Sequence, residues 1–223
     1  MKKNYLLSAL LISSIAVSAQ KQKSNAKEMN VEVIKTSSVK PLAQQKVIIW
    51  QNDFSTASDW SFADSTQDEQ NWVISTSTAT TLGYGTGAWV DESNIVTNEN
   101  GYALFDSDFV GADGGSQDAT MIYTGSIDCS AYPNVVLEFN QRIRMWQTTE
   151  TIFEVSNDGG TTWIPFSVNL DKATSSLYQE NASINISSAA GGQSNVQIRL
   201  RYIGSWDYAW LVDDIKIVEQ PAT

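Results

Sequence analysis

A chain of 223 residues with formal net charge −11, no histidine and one cysteine excludes several classes of protein at once. Without histidine there is no Ser-His-Asp or Cys-His catalysis and no His-ligated zinc, and a lone Cys129 forms no intrachain disulfide. From residue 46 onward seven Lys and Arg stand against 23 Asp and Glu, a net of −16, which argues against nucleic acid as a partner.

Residues 1–19 carry Lys2 and Lys3, then an apolar run over 5–17, then Val17-Ser18-Ala19. This is the pattern of a secretory signal peptide cleaved after Ala19, and the run is too short for a transmembrane span, so the expected location is extracellular or the outer cell surface. Residues 20–45 are rich in Lys, Ser, Gln and Asn and lack aromatic residues, so they are expected to form a disordered linker. Residues 46–219 form the folded domain, and 220–223 a tail or truncated linker.

Within the domain, short period-two segments fall at 47–50, 72–75, 102–106, 119–123, 135–146, 151–156, 183–186, 196–203 and 209–218, separated by Gly, Asn, Asp and Ser. No stretch sustains helical periodicity, so the expected class is all-β: an antiparallel β-sandwich of jelly-roll, concanavalin- or galactose-binding-like type. Residues 156–163, SNDGGTTW, resemble the Asp-box of sialidases, but a propeller needs a repeat every 40 to 50 residues and none is found. The stretch is therefore expected to be a hairpin turn.

Alternation places Leu137, Phe139, Ile143 and Met145 on one face of the 135–146 strand and Glu138, Arg142, Arg144 and Trp146 on the other. In 196–203 it turns Val196, Ile198 and Leu200 inward and Arg199 and Arg201 outward. If the two strands are neighbours, the arginines form a ladder with Glu138 and Glu154, or a face that grips a glycan with Trp146. In GSWDYAW, residues 204–210, Trp210 reads as core, whereas Trp206 and Tyr208 flank Asp207 in a loop suited to recognition. LGYGTGAW at 82–89 is a second aromatic loop, not a phosphate loop, since no Lys-Ser/Thr follows it.

In WLVDDIKI, Leu211, Asp213, Ile215 and Ile217 share one parity, which would bury the Asp213 carboxylate at the sandwich edge. A buried carboxylate needs a partner, and with few cations in the domain Ca²⁺ is a candidate; turn-capping by these aspartates is the plainer alternative. Asp64-Ser65-Thr66 resembles a bacterial O-glycosylation sequon, and Asn181 and Asn185 begin N-x-S sequons.

Taken in order, NDFSTASDW at 52–60, NW at 71–72, NGYALFDSD at 100–108, IDCSAYPNVVLEF at 127–139, EVSNDGGTTW at 154–163 and NVQIRLRYIGSWDYAWLVDDIKI at 195–217 resemble the MAM-like or cleaved-adhesin jelly roll of secreted surface proteins of the type IX export pathway. Two departures are visible: the disulfide cysteines of vertebrate MAM domains are missing, and no type IX sorting domain follows Thr223. Either the sequence is truncated or another export route is used. The resemblance implies a structural calcium where first and last strands meet, with Asp53 and Asp213 or Asp214 as ligands and Asp106 or Asp108 as further ones.

The leading expectation is a secreted, non-catalytic module for adhesion or glycan recognition, with a glycan or a cell-surface protein as partner. Its ligand residues would be Arg142, Arg144, Trp146, Arg199, Arg201, Trp206 and Tyr208. A carboxylate glycoside hydrolase is the competing reading and needs two acids about 5 to 9.5 Å apart, for which Glu138 and Glu154 are the strand candidates. A structural spacer domain is the third.

Overall fold

Two antiparallel sheets face one another across an aromatic core in the computed structural model, which describes residues 46–66, 70–76, 99–109, 111, 115–147 and 149–220. The chain divides into Met1–Leu42 and Ala43–Thr223, and the sandwich belongs to the second unit. The signal peptide, the linker over 20–45, the 82–89 loop and residues 221–223 lie outside the described residues.

The strands run β1 (Ile48–Asn52), β2 (Trp60–Asp64), β3 (Val73–Ser75), β4 (Tyr102–Asp106), β5 (Gln117–Tyr123), β6 (Val135–Arg144), β7 (Glu150–Ser156), β8 (Ile164–Val168), β9 (Leu177–Asn185), β10 (Gln197–Gly204) and β11 (Ala209–Glu219). One sheet has the order β3-β4-β11-β6-β9 with β1 also paired to β11; the other is β2-β5-β10-β7-β8. Successive strands cross repeatedly between the sheets, as a jelly roll requires. The expected all-β sandwich is therefore the observed architecture. Sequence periodicity missed β2, where Ser61, Phe62 and Ala63 are all exposed and give no alternation of burial. It also found only the C-terminal end of β9.

Leu137, Phe139, Ile198 and Leu200 point inward as alternation demands and are at most 2% exposed. Each contributes roughly 1.5 to 3 kcal/mol by leaving water. Around them stack Phe105 and Tyr202 at 4.2 Å between centroids, Phe139 and Phe153 at 4.7 Å, and Trp72 edge-on to Trp210 at 5.5 Å. Cys129 is buried among these residues, and burial pushes its thiol up to about 11.

β11 corrects the parity expected at the last strand. Trp210 and Val212 face the core, the register against β6 shifts between Asp213 and Lys216, and Ile215 and Ile217 then face the core again. Asp214, at φ +48°, is the residue that absorbs the bulge. Leu211 thus belongs to the opposite face, in a second cluster with Tyr102, Leu104 and Ala209. Alternation before the bulge sets buried Asp213 with Leu211 rather than with Ile215. On its other edge β11 pairs with β4 through residues 209–212 and with β1 through 215–218, so β1 and β4 lie end to end beside it. At that junction Gly101 has φ +117°, and a Cβ there would sit 2.9 Å from the Phe54 carbonyl oxygen.

Candidate functional site

The outer face of the β11–β6 sheet ends in an aromatic pocket. β6 closes with Arg144, Met145 dips into the core, and alternation turns Trp146 outward, where it is 53% exposed. The loop from β10 to β11 brings Trp206, 46% exposed and held at φ +45°, and half-buried Tyr208. With Asp108, from the loop after β4, and Asp207 they line a cavity of about 220 Å³. The Trp146 and Tyr208 rings meet edge-on at 6.2 Å, and the Arg144 guanidinium lies 3.9 Å from the Tyr208 ring centre.

A buried polar network fixes these loops. The Asp207 carboxylate, 2% exposed, accepts backbone N–H bonds from Trp146, from Tyr208 at 2.8 Å and from Gln147 at 3.4 Å. Its own N–H donates to Ser107 Oγ at 2.8 Å, and Ser107 Oγ donates to Gln117 Oε1 at 2.5 Å. Gln117 Nε2 returns a bond to the Ser107 carbonyl at 3.0 Å. Gln147 Nε2 spans the carbonyls of Ser205 and Trp206 at 3.0 and 3.1 Å. Three loops are thereby locked together beneath two solvent-facing indoles, an arrangement that holds aromatic planes rigid before any ligand arrives.

Burial raises the pKa of Asp207 above the ordinary carboxylate range against the pull of its three N–H donors, and neighbouring Asp108 adds to the rise. Asp108 is likewise raised by burial, opposed by a hydrogen bond from the Trp206 side chain. In the window between the ordinary and the raised pKa the folded state holds more protons than the unfolded one. These two groups therefore contribute stability that declines as pH rises through that window.

Of the expected ligand residues, Arg144 lies against the Tyr208 ring, and Trp146, Trp206 and Tyr208 line this pocket. Arg142 does not: it is 2% exposed and donates to Gln179 Oε1. Arg199 and Arg201 do not either, because β10 and β6 belong to different sheets and these side chains point away from the core on the opposite side of the sandwich. There Arg199 Nε pairs with Glu154 at 2.5 Å and its guanidinium covers the Trp163 ring at 4.3 Å, while Arg201 grips Asp118 through two bonds of 2.7 Å. The ladder with Glu154 exists; Glu138 is not part of it and instead faces Lys46 and Lys216. Glu138 and Glu154 thus point outward from opposite sheets that stack about 10 Å apart, which separates the nominated acid pair.

The aspartates nominated for calcium divide as well. Asp53 and Asp214 line one open cleft of about 800 Å³ together with Asn100, Glu138 and Asn140. Asp53 Oδ1 accepts the Ser55 N–H at 3.1 Å, Asp214 Oδ2 accepts from Asn140 at 2.9 Å, and Asp213 Oδ1 accepts the Asp214 N–H at 2.8 Å. Asp106 and Asp108 stand at the far end of β4 and do not join this set. Among the described residues no three acidic, Cys or His side chains gather in a way that would hold a metal ion.

SNDGGTTW is the turn between β7 and β8. Asp158 accepts the N–H groups of Thr161 and Thr162 and the Thr162 hydroxyl, and these bonds hold its carboxyl down at about 2. Gly159 and Gly160 adopt φ +71° and +86°. Asn181, Asn185, Ser65 and Thr66 of the sequons are exposed. Sequence reasoning missed Asp207, Ser107, Gln117 and Gln147 as supports. A short acid between two aromatics in a loop was the one available signal, and Gln117 gave none.

No family model matches this chain and no curated protein matches it. Solved structures with a similar fold include TmCBM61 in complex with β-1,4-galactotriose, at 12% identity and TM-score 0.46 over 78% of this chain and 99% of that one. Another is the K3 cleaved adhesin domain of Lys-gingipain from Porphyromonas gingivalis W83, at 16% identity and TM-score 0.47 over 79% and 100%. A cyclase from Fischerella sp. TAU is similar at 10% and 0.42 over 80% and 100%. Likenesses of this size do not bear on function.

Proposed function

We propose that the domain is a non-catalytic glycan-binding module acting outside the cell, with the Trp146–Trp206–Tyr208 pocket as its site. The observation that carries this reading is the pair of half-exposed indoles braced from beneath by the Asp207 network. Exposed large aromatics are costly in water, and a rigid scaffold that keeps them apart from the core gives them a flat surface for the C–H faces of a sugar ring. Export follows from residues 1–19. Among the described residues no helix is long and apolar enough to cross a membrane. A role in adhesion, of the cleaved-adhesin kind that the sequence resembles, belongs to the same proposal.

Trp146→Ala and Trp206→Ala are expected to weaken glycan binding by about 1 to 3 kcal/mol each, with the melting temperature nearly unchanged. Titration calorimetry and a thermal melt on each variant check this. A large fall in stability with binding retained would make these tryptophans packing residues and remove the proposal.

The calcium part of the reading is narrower than the sequence suggested. An ion in the cleft that Asp53 and Asp214 line would draw on their carboxylates and on amide, carbonyl and water oxygens, since the other acids lining it are engaged, Asp59 with Asn52 and Glu138 with Lys46 and Lys216, which leaves a weak donor set. If calcium binds only the folded state there, stability rises by about 2.7 kcal/mol at a hundredfold excess over Kd and chelator reverses it. A melt indifferent to both would dismiss the ion.

A further inference from the structure

Glycans divide into neutral chains and chains bearing carboxylates or sulfates, and the pocket's charges bear on that division. Asp108 lies in the pocket wall beside Trp206. Asp207 is turned to the backbone N–H groups of Trp146, Gln147 and Tyr208. Arg144, against the Tyr208 side of the pocket, is itself engaged: its guanidinium covers the Tyr208 ring and its Nε donates to the Ser175 carbonyl at 3.3 Å.

The same holds across the domain. Lys46 and Lys216 face Glu138, Lys172 faces Glu180, Arg199 faces Glu154, Arg201 faces Asp118, and Arg142 donates to Gln179. Every one of the seven cations from residue 46 onward therefore already has a partner, in a domain whose net charge is −16 from seven Lys and Arg against 23 Asp and Glu.

We infer that the pocket takes neutral glycans and rejects anionic ones, and that Asp108 sets this preference. The inference rests on the glycan-binding reading above. A carboxylate in the wall accepts hydrogen bonds from the hydroxyls of a neutral sugar stacked on the indoles, and such charge-assisted bonds are stronger than neutral ones. A uronate or sulfate group brought to the same place meets the like charge of Asp108 in a partly desolvated site, and the field of the whole domain repels it on approach.

The test is titration calorimetry of the full chain against neutral cello-, xylo-, galacto- and manno-oligosaccharides and against oligogalacturonate, at low salt and at about 0.5 M salt, with wild type and Asp108→Asn. Wild type is expected to bind at least one neutral series, with oligogalacturonate at least about tenfold weaker. Asp108→Asn is expected to lose about tenfold on the neutral ligand and to narrow the neutral-to-anionic ratio by about tenfold or more. Should the variant not fold, wild type alone decides, because about 0.5 M salt screens the exposed charges that repel an anion on approach and is expected to narrow its ratio. Oligogalacturonate bound as tightly as the neutral series, or a ratio unmoved by both the variant and salt, overturns the inference while leaving the glycan-binding reading intact. Failure of wild type to bind any of these ligands overturns both.

Discussion

Trp210→Ala is expected to be the most damaging single change in the domain, lowering stability by about 3 to 5 kcal/mol. The ring is fully buried, packed edge-on against Trp72 at 5.5 Å and Phe153 at 5.8 Å, so its removal opens a cavity between both sheets. Its indole N–H also donates to Gln141 Oε1 at 2.9 Å, and Gln141 in turn donates to Asn169 and Glu180 at 2.8 Å each. Trp210→Phe keeps most of the packing and loses that one bond, which is expected to cost about 1 to 1.5 kcal/mol beyond the smaller ring's own cavity. For a domain of this size each kcal/mol moves the melting temperature by roughly 2 to 4 °C, so the two variants separate clearly in a thermal melt. An alanine variant that melts within a few degrees of wild type would contradict the position assigned to this residue.

Asp207→Ala is expected to cost up to about 3 kcal/mol. Three backbone N–H donors, those of Trp146, Gln147 and Tyr208, lose their acceptor in a partly buried place, and a donor orphaned there costs about 1 kcal/mol, at the lower end of the range for a buried one. Relief of the burial penalty that raises the Asp207 pKa offsets part of this loss at neutral pH. Asp207→Asn keeps one acceptor oxygen and is expected to be milder. Its deficit against wild type should shrink as pH rises from the ordinary carboxylate value into the raised range, because wild type gives up stability across that window and the amide does not titrate. Denaturant unfolding of the three proteins at several pH values measures this. Both variants should also weaken glycan binding, since the Trp146 and Trp206 loops are tied through Asp207; a stability loss without a binding loss would show that the indoles need no such brace.

Much of the architecture was legible because burial writes itself into period-two alternation. The inward set Leu137, Phe139, Ile198 and Leu200 is an example, and the glycine-rich SNDGGTTW turn is another. What stayed hidden were relations between strands that alternation does not encode. Arg142 and Arg199 both read as outward, and both are, but on different sheets, since sequence gives a side chain's face and not the sheet to which its strand belongs. The bulge at Asp214 needed one residue in the left-handed region and inverted the expected parity of Leu211. In the site, Trp146, Trp206 and Tyr208 announced themselves as aromatics at strand ends and in a loop. The Ser107–Gln117–Asp207 network under them joins residues a hundred positions apart, and no local pattern marks it.

The central claim is that the Trp146–Trp206–Tyr208 pocket binds glycans and does not cut them. Purified wild type and the Trp146→Ala, Trp206→Ala double variant, incubated with a panel of oligosaccharides and followed both by calorimetry and by product analysis, test it directly. The account predicts saturable binding by wild type, its loss in a double variant with a wild-type melt, and an unchanged ligand at the end of the incubation. Cleaved oligosaccharide, or binding that survives in the folded double variant, would contradict it.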